Sequence, residues 1–290
     1  MKTSQYILCS QIFAIASLLA IAYFVYYISE NDRQVEQQEL KLSFLDVGQG
    51  DSIFIETPTG FQILVDGGNS GTVLTEIKDV LELNDREIDM LIATHPDADH
   101  IGGLVDVLKR FSVRYFVHNG VESGTATYRA LTEEMEDEGA EIIVIDSPQV
   151  FAFSDGVTLE FISPQKNLLR GDRNDTSIVA RLLYGETTAL LTGDISTKIE
   201  RSIANNFGKK IESDILKVSH HGSRHSSDAL FLSIVNPDFS IISAEENSRY
   251  GHPHKDVVDR INQNTDSILL HTKDKKTHFV SDGFAWYNKE

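Results

Sequence analysis

Only one cysteine, Cys9, occurs in the chain, and it lies inside an apolar N-terminal stretch. A disulfide framework is therefore excluded, and the rest of the chain has no thiol for nucleophilic or thiolate–metal chemistry. Positive charge is also scarce. Twenty-six Lys and Arg face 44 Asp and Glu, for a formal net charge of −18. Such a chain does not draw nucleic acid through its overall field. A nucleic-acid substrate would have to be held by metals or a local basic patch, whereas small substrates and divalent cations suit the acidic balance. No Ser–His or Cys–His nucleophile pattern stands out, and apart from one short polar stretch there is no low-complexity segment. Apolar residues at 41% and charged residues at 24% are ordinary for a globular protein. The length of 290 residues suits one large domain, or one domain with an appendage.

The appendage is legible at the start. Tyr6 to Ile28 form 23 consecutive positions without a charge, enough for one membrane-spanning helix. The run continues through Tyr23-Phe24-Val25-Tyr26-Tyr27, which has the look of an interfacial aromatic belt and exceeds the short core of a cleaved signal. Lys2 before it and Glu30 and Asp32 after it favour an N-terminus in the cytoplasm with the remainder outside. The expected organisation is a membrane anchor over residues 1–28, a Gln- and Glu-rich linker over 29–39, and a globular domain over 40–290.

Within that domain, Leu42–Val47, Ser52–Thr57 and Phe61–Asp66 read as a β-meander with glycine-rich ends, Gly48-Gln49-Gly50 and Gly67-Gly68. Val73–Leu83 is helical by periodicity. The second half repeats the style, with a hairpin of Ser177–Tyr184 and Thr188–Thr192 followed by a helix at Thr197–Phe207. The economical architecture is two packed sheets with helices outside.

The chemistry concentrates in Thr94-His95-Pro96-Asp97-Ala98-Asp99-His100-Ile101-Gly102-Gly103. Two imidazoles and two carboxylates fall within six residues, on the loop between a strand ending Leu91-Ile92-Ala93 and a helix beginning near Gly102. Clustered carboxylates repel one another unless a cation lies between them. Three further stretches end or begin strands with ligand-type residues: Thr192-Gly193-Asp194, His220-His221-Gly222-Ser223 and Asn174-Asp175-Thr176-Ser177. A site built on a sheet edge would gather such residues at strand ends.

Together these motifs resemble the metallo-β-lactamase superfamily from about Leu42 to Tyr287. Asp66-Gly67-Gly68 is similar to its early Asp motif, and His95-Pro96-Asp97-Ala98-Asp99-His100 to its His-x-His-x-Asp-His signature, with Asp97 in the second His place. Phe44–Ser52, Asn174–Ser177 and Tyr250-Gly251-His252-Pro253 further resemble the hydrolase domain of ComEC-type DNA-uptake (competence) proteins. The resemblance implies an α/β αββα sandwich, a site for one or two divalent ions, and phosphodiester hydrolysis, with single-stranded DNA as the preferred substrate.

Carried over residue by residue, the resemblance puts His95, Asp97 and Asn174 on one metal, Asp99, His100 and His220 on the other, and Asp194 between them. His221 is the alternative to His220. Asp46 and Asp66 would orient the His ligands from behind, or serve as strand-end turn residues. His252 would contact phosphate or protonate the leaving group, or else be a structural loop His. Lys217, Arg224 and His225 read foremost as solvated loop charge. Two departures are evident: the middle motif offers Asn174 and Asp175 where the superfamily has His, and oxygen donors there favour manganese over zinc. The uptake proteins carry a many-helix channel, so a separate channel partner is expected for this single-pass, extracytoplasmic hydrolase. The alternatives are hydrolysis of smaller esters, such as phosphorylcholine or a lactone, and a non-catalytic metal-binding module.

Overall fold

Leu40, Leu42 and Phe44 alternate along the first strand and are buried in the space between two sheets. The computed structural model describes residues 39–166, 169, 171–245, 248–274 and 277–289. The expected anchor helix at Tyr6–Ile28 lies outside the described residues, as does the linker up to residue 38. No helix among the described residues is long and apolar enough to cross a membrane.

Six strands come first: β1 (Leu40–Phe44), β2 (Ile53–Glu56), β3 (Gln62–Val65), β4 (Glu87–Ala93), β5 (Ser112–His118) and β6 (Glu141–Val144). The next seven are β7 (Gln149–Ala152), β8 (Thr158–Ser163), β9 (Val179–Tyr184), β10 (Thr187–Leu191), β11 (Ile215–Lys217), β12 (Phe239–Ile242) and β13 (Ile268–His271), and these form a second sheet. The last two, β14 (Thr277–Ser281) and β15 (Trp286–Lys289), return to the first, whose order is β15-β14-β1-β2-β3-β4-β5-β6. Each sheet is antiparallel at one end and parallel at the other. The first turns parallel from β3 onward, and the second from β10 onward.

The helices are α1 (Val73–Glu76), α2 (Ala98–Leu108), α3 (Ala126–Glu138), α4 (Thr197–Phe207), α5 (Ala229–Val235) and α6 (Lys255–Asn264). One apolar cluster fills the gap between the sheets, with Ile53, Ile63, Leu159, Phe161 and Phe279 among its members. A second joins the outer face of the first sheet to Ile101, Leu104 and Leu131 of its helices, and a third joins the second sheet to Ile199, Phe231 and Val257. Full burial of such side chains contributes about 1.5–3 kcal/mol each. The αββα expectation is therefore met.

The helix expected over Val73–Leu83 is shorter. It tightens into a 3-10 turn at Ile77–Asp79 and stops. Val73 and Ile77 are buried one turn apart, but Leu83 is 93% exposed, and Asn84 adopts a left-handed conformation with φ 71°. With no surface to bury the third turn, the periodicity has nothing to pack on.

Candidate metal centre

The parallel halves bring strand C-termini to one rim, the place where open α/β sheets bind ligands. Asp66 follows β3, Thr94–His100 follows β4, Asp194 follows β10, and His220 and His221 follow β11. A backbone bond stitches the two sheets there, Ile178 N–H donating to Thr94 O at 3.0 Å, while His220 N–H donates to Gly193 O at 3.1 Å between neighbouring loops of the second sheet.

Glycines allow the first sheet's loops to touch α2 backbone to backbone. Gly67 N–H donates to His100 O at 2.7 Å, and Gly103 N–H to Gly68 O at 2.9 Å. A Cβ on Gly103 would fall 1.9 Å from Gly67 O, and one on Gly50 would fall 1.9 Å from Asp99 O. The glycine pairs thus set how closely the Asp99–His100 turn approaches the end of β3.

One carboxylate oxygen forms the hub. Asp194 Oδ2 lies 3.2 Å from His100 Nε2, 3.3 Å from His221 Nε2 and 3.9 Å from His220 Nε2. His221 Nε2 is also 3.6 Å from Asp99 Oδ2, and the His95 and His100 rings stand 4.1 Å apart. Three sets of donor atoms close enough to share one ion follow: His95, His100 and Asp194; Asp99, His100 and His221; and Asp51, Asp194 and His221. A fourth, Asp51, Asp66 and His100, overlaps them from below.

The donor set fits a divalent cation. His95 Nε2, His100 Nε2, His221 Nε2 and Asp194 Oδ1 are buried with no hydrogen-bond partner, a costly arrangement for polar atoms unless a cation accepts their lone pairs. Burial pulls the His100 and His221 imidazoles down, but Asp194, with Asp66 for His100 and Asp51 for His221, outweighs it and holds both well above the ordinary value. The cluster therefore attracts positive charge. His95 behaves oppositely. Burial and repulsion from His100 push it down to about 3, so it offers a free lone pair.

The imidazoles are held from behind. His100 Nδ1 lies 2.7 Å from Asp66 Oδ2, while Asp66 Oδ1 accepts from Thr94 N–H at 2.8 Å. His221 Nδ1 lies 2.9 Å from Ser243 O. Such partners fix the ring orientation and the tautomer that leaves Nε2 free.

The structure gathers His95, Asp99, His100, Asp194 and His221. His220 lies farther out, its Nε2 3.4 Å from the Asn174 amide nitrogen; the donor-atom sets therefore contain His221, where His220 was the preferred expectation. Both residues have left-handed backbones, φ 50° and 55°, which turn the two rings apart. Asp97 stays at the rim, 4.0 Å from His95 Nε2 and 3.0 Å from Arg173 Nε. His252 stands 5.6 Å from the His220 ring and 6.2 Å from the His221 ring, and burial pushes it down to about 4. Asp46 does not reach the cluster through any hydrogen bond. Its Oδ1 accepts from Gly48 N–H at 3.1 Å, the turn role.

Two buried residues were not anticipated. Lys217, expected as solvated loop charge, is fully buried and pairs with Asp51 Oδ2 at 2.5 Å. Asp51 Oδ1 is in turn 3.4 Å from His221 Nδ1. Arg224 and His225 are exposed as expected. The sequence did hold a signal for Lys217. Ile215 packs between the sheets and Leu216 on the outer face, so strand alternation aims Lys217 inward.

A model of the metallo-beta-lactamase superfamily matches residues 45–245. The chain is 29% identical over 249 residues to ComE operon protein 3 of Bacillus subtilis (strain 168), covering 80% of this chain and 32% of that protein. It is 32% identical over 248 residues to Competence protein ComA of Neisseria gonorrhoeae, covering 84% and 32%. The chain thus spans about a third of the length of these curated relatives. Among solved structures, Igni18, a metallo hydrolase from the archaeon Ignicoccus hospitalis KIN4/I, matches with a TM-score of 0.55 at 13% identity, covering 83% of this chain and 98% of that one, a likeness of fold.

Proposed function

The chain belongs to the metallo-β-lactamase superfamily, and from that premise we propose that it hydrolyses phosphodiester bonds, with single-stranded DNA as substrate and manganese or zinc as cofactor. The observation that carries the reading is the convergence of His95, His100 and His221 Nε2 around Asp194 and Asp99, with no hydrogen bond to any of the three nitrogens. His95, His100 and Asp194 would hold one ion, and Asp99, His100 or Asp194, and His221 a second. A divalent ion bound there supplies Lewis acidity toward a phosphoryl oxygen and lowers the pKa of water.

The chain's own groups do the rest. Asp66 and Ser243 O keep His100 and His221 pointed inward. Asp51 and Lys217 fix the floor beneath His221. Above the cluster a cavity of about 440 Å³ opens, lined by Asp97, Asp99, Arg173, Glu245, Arg249 and Tyr250. Its two arginines are local cations for an anionic substrate that the net charge of −18 would otherwise repel. His252, whose ring lies 5.6 Å from that of His220 and 6.2 Å from that of His221, would protonate the departing oxygen.

Tyr6–Ile28 would anchor this hydrolase in the membrane with the catalytic domain outside, working beside a separate channel protein. Fractionation tests the anchor: a mature protein that is soluble and begins after residue 28 overturns it. The chemistry is tested by loading the full chain with manganese or zinc and offering single-stranded DNA, bis-p-nitrophenyl phosphate and a lactone in parallel. Both phosphodiesters are cleaved, and Asp99→Ala and Asp194→Ala abolish cleavage. Hydrolysis of the lactone alone, or activity that survives both substitutions, overturns the assignment.

A further inference from the structure

A row of flat groups leads out of the metal centre. The buried His221 ring lies 6.2 Å from the His252 ring at an interplanar angle of 34°, and His252 lies 5.7 Å from the Tyr250 ring at 26°. The Arg249 guanidinium carbon sits 4.7 Å from the centroid of Tyr250, and Arg249 Nη2 donates to the Tyr250 hydroxyl. The inner end of the row is buried. Its outer end is not: Tyr250 is 49% exposed and lines the same cavity as Asp97 and Asp99. Neither Tyr250 nor Arg249 is needed by the metal cluster, and both lie beyond the residues 45–245 matched by the superfamily model.

We propose that the Tyr250–Arg249 pair is a stacking platform that seats an unpaired nucleobase next to the metal centre, so that the site takes single-stranded nucleic acid and refuses duplex; this rests on the phosphodiester reading above. Flat aromatic and guanidinium faces bind any base, because every base has a π-face. A base within a duplex has both faces covered by its neighbours and cannot reach the platform. Duplex DNA also presents a denser row of phosphates to a chain of net charge −18. Arg173 and Arg249 offer cations at the cavity wall, where one or two backbone phosphates of a single strand would pass.

The same pair disfavours a choline-bearing substrate. Quaternary ammonium groups are recognised over aromatic faces, and the cation position over Tyr250 is filled by the Arg249 guanidinium. An incoming ammonium would meet like charge there.

The test uses the full chain with manganese and three substrates: a short single strand carrying one 2-aminopurine, its duplex, and a strand of the same length in which every base is replaced by an abasic tetrahydrofuran residue. Stacking quenches 2-aminopurine fluorescence whether or not the strand is cut. The wild-type chain quenches the single strand and not the duplex. Tyr250→Ala loses the quenching and raises KM for the base-bearing strand by about tenfold relative to the abasic strand. Tyr250→Phe keeps the ring and restores both. Quenching by wild type but not by Tyr250→Ala upholds the platform even if no strand is cut, in which case only the hydrolase reading falls. Cleavage with equal quenching and equal KM ratios in wild type and Tyr250→Ala overturns the platform and leaves the hydrolase reading standing. Tighter binding of phosphorylcholine than of the single strand overturns it as well.

Discussion

Asp66 Oδ2 and His100 Nδ1 lie 2.7 Å apart, both buried, and this pair aims His100 Nε2 at the centre of the site. Asp66 is held by Thr94, which donates its N–H to Oδ1 and its hydroxyl to Oδ2. It also has a left-handed backbone, φ 57°. Asparagine tolerates that conformation, so Asp66→Asn preserves the fold and removes only the carboxylate. Metal affinity is expected to fall by about 10- to 100-fold. Manganese titration by calorimetry measures this, and the thermal stabilisation by added manganese should shrink in step. Unchanged affinity would remove the orienting role.

Lys217 and Asp51 form an ion pair with no solvent exposure to speak of, 0% and 2% of their side chains. Burial alone raises a carboxyl, but Lys217 and then His221 outweigh it and bring Asp51 down to about 2. Lys217→Met leaves a buried carboxylate uncompensated and should destabilise by about 3–5 kcal/mol. Asp51→Asn combined with Lys217→Met should cost clearly less than the sum of the single changes. A double-mutant cycle by urea denaturation reads the coupling, and strict additivity would show that the two do not act together.

Gly103 lies on α2, where an added Cβ would sit 1.9 Å from Gly67 O and 2.7 Å from Ser70 O. Both obstacles are backbone, so nothing can turn aside. Gly103→Ala should push α2 away from the end of β3, destabilise by at least about 2 kcal/mol, and weaken metal binding, because His100 shares the first turns of that helix. Gly124→Ala, with open space around its Cβ, is the control and should change neither quantity.

Glu200 sits beneath the loop that follows the His pair, and its two oxygens accept from Ser227 N–H and Asp228 N–H at 2.9 and 2.7 Å. Burial pushes its carboxyl up from 4.5 to about 7. The folded protein therefore keeps a proton that the unfolded chain releases at lower pH. Its stabilising effect is full below about pH 4.5 and is lost as pH rises through 7. The whole swing is of order 3 kcal/mol. Denaturation at pH 5 and pH 8 should show this loss, and Glu200→Gln should flatten it while lowering stability at both, since one backbone donor then faces an amide. An unaltered slope would acquit Glu200.

How much of the centre could be seen in the chain depended on how local each piece is. His95, Asp99 and His100 fall within six residues, so their clustering shows in the spacing. Asp99 and His100 nevertheless lie in the first turn of α2, which begins at Ala98 and not near Gly102. Asp194 follows an apolar hairpin, and its role came with the superfamily resemblance. Asp51 and Lys217 meet only because two sheets close on each other, and nothing near either residue announces the partner. The choice between His220 and His221 turned on two successive left-handed residues, a backbone state that neither histidine advertises. The edge strands β7 and β15 escaped notice because they are four residues long and alternately exposed, with little apolar pattern to mark them. The anchor at Tyr6–Ile28 rests on sequence alone.

The centre draws Asp66, Asp99 and His100 from one sheet and Asp194 and His221 from the other, and the backbone bond from Ile178 N–H to Thr94 O joins them. A nascent chain that has completed only its first half thus owns an incomplete set of ligands. The full donor set forms only when the second half closes on the first, so metal affinity reports the closing of the molecule.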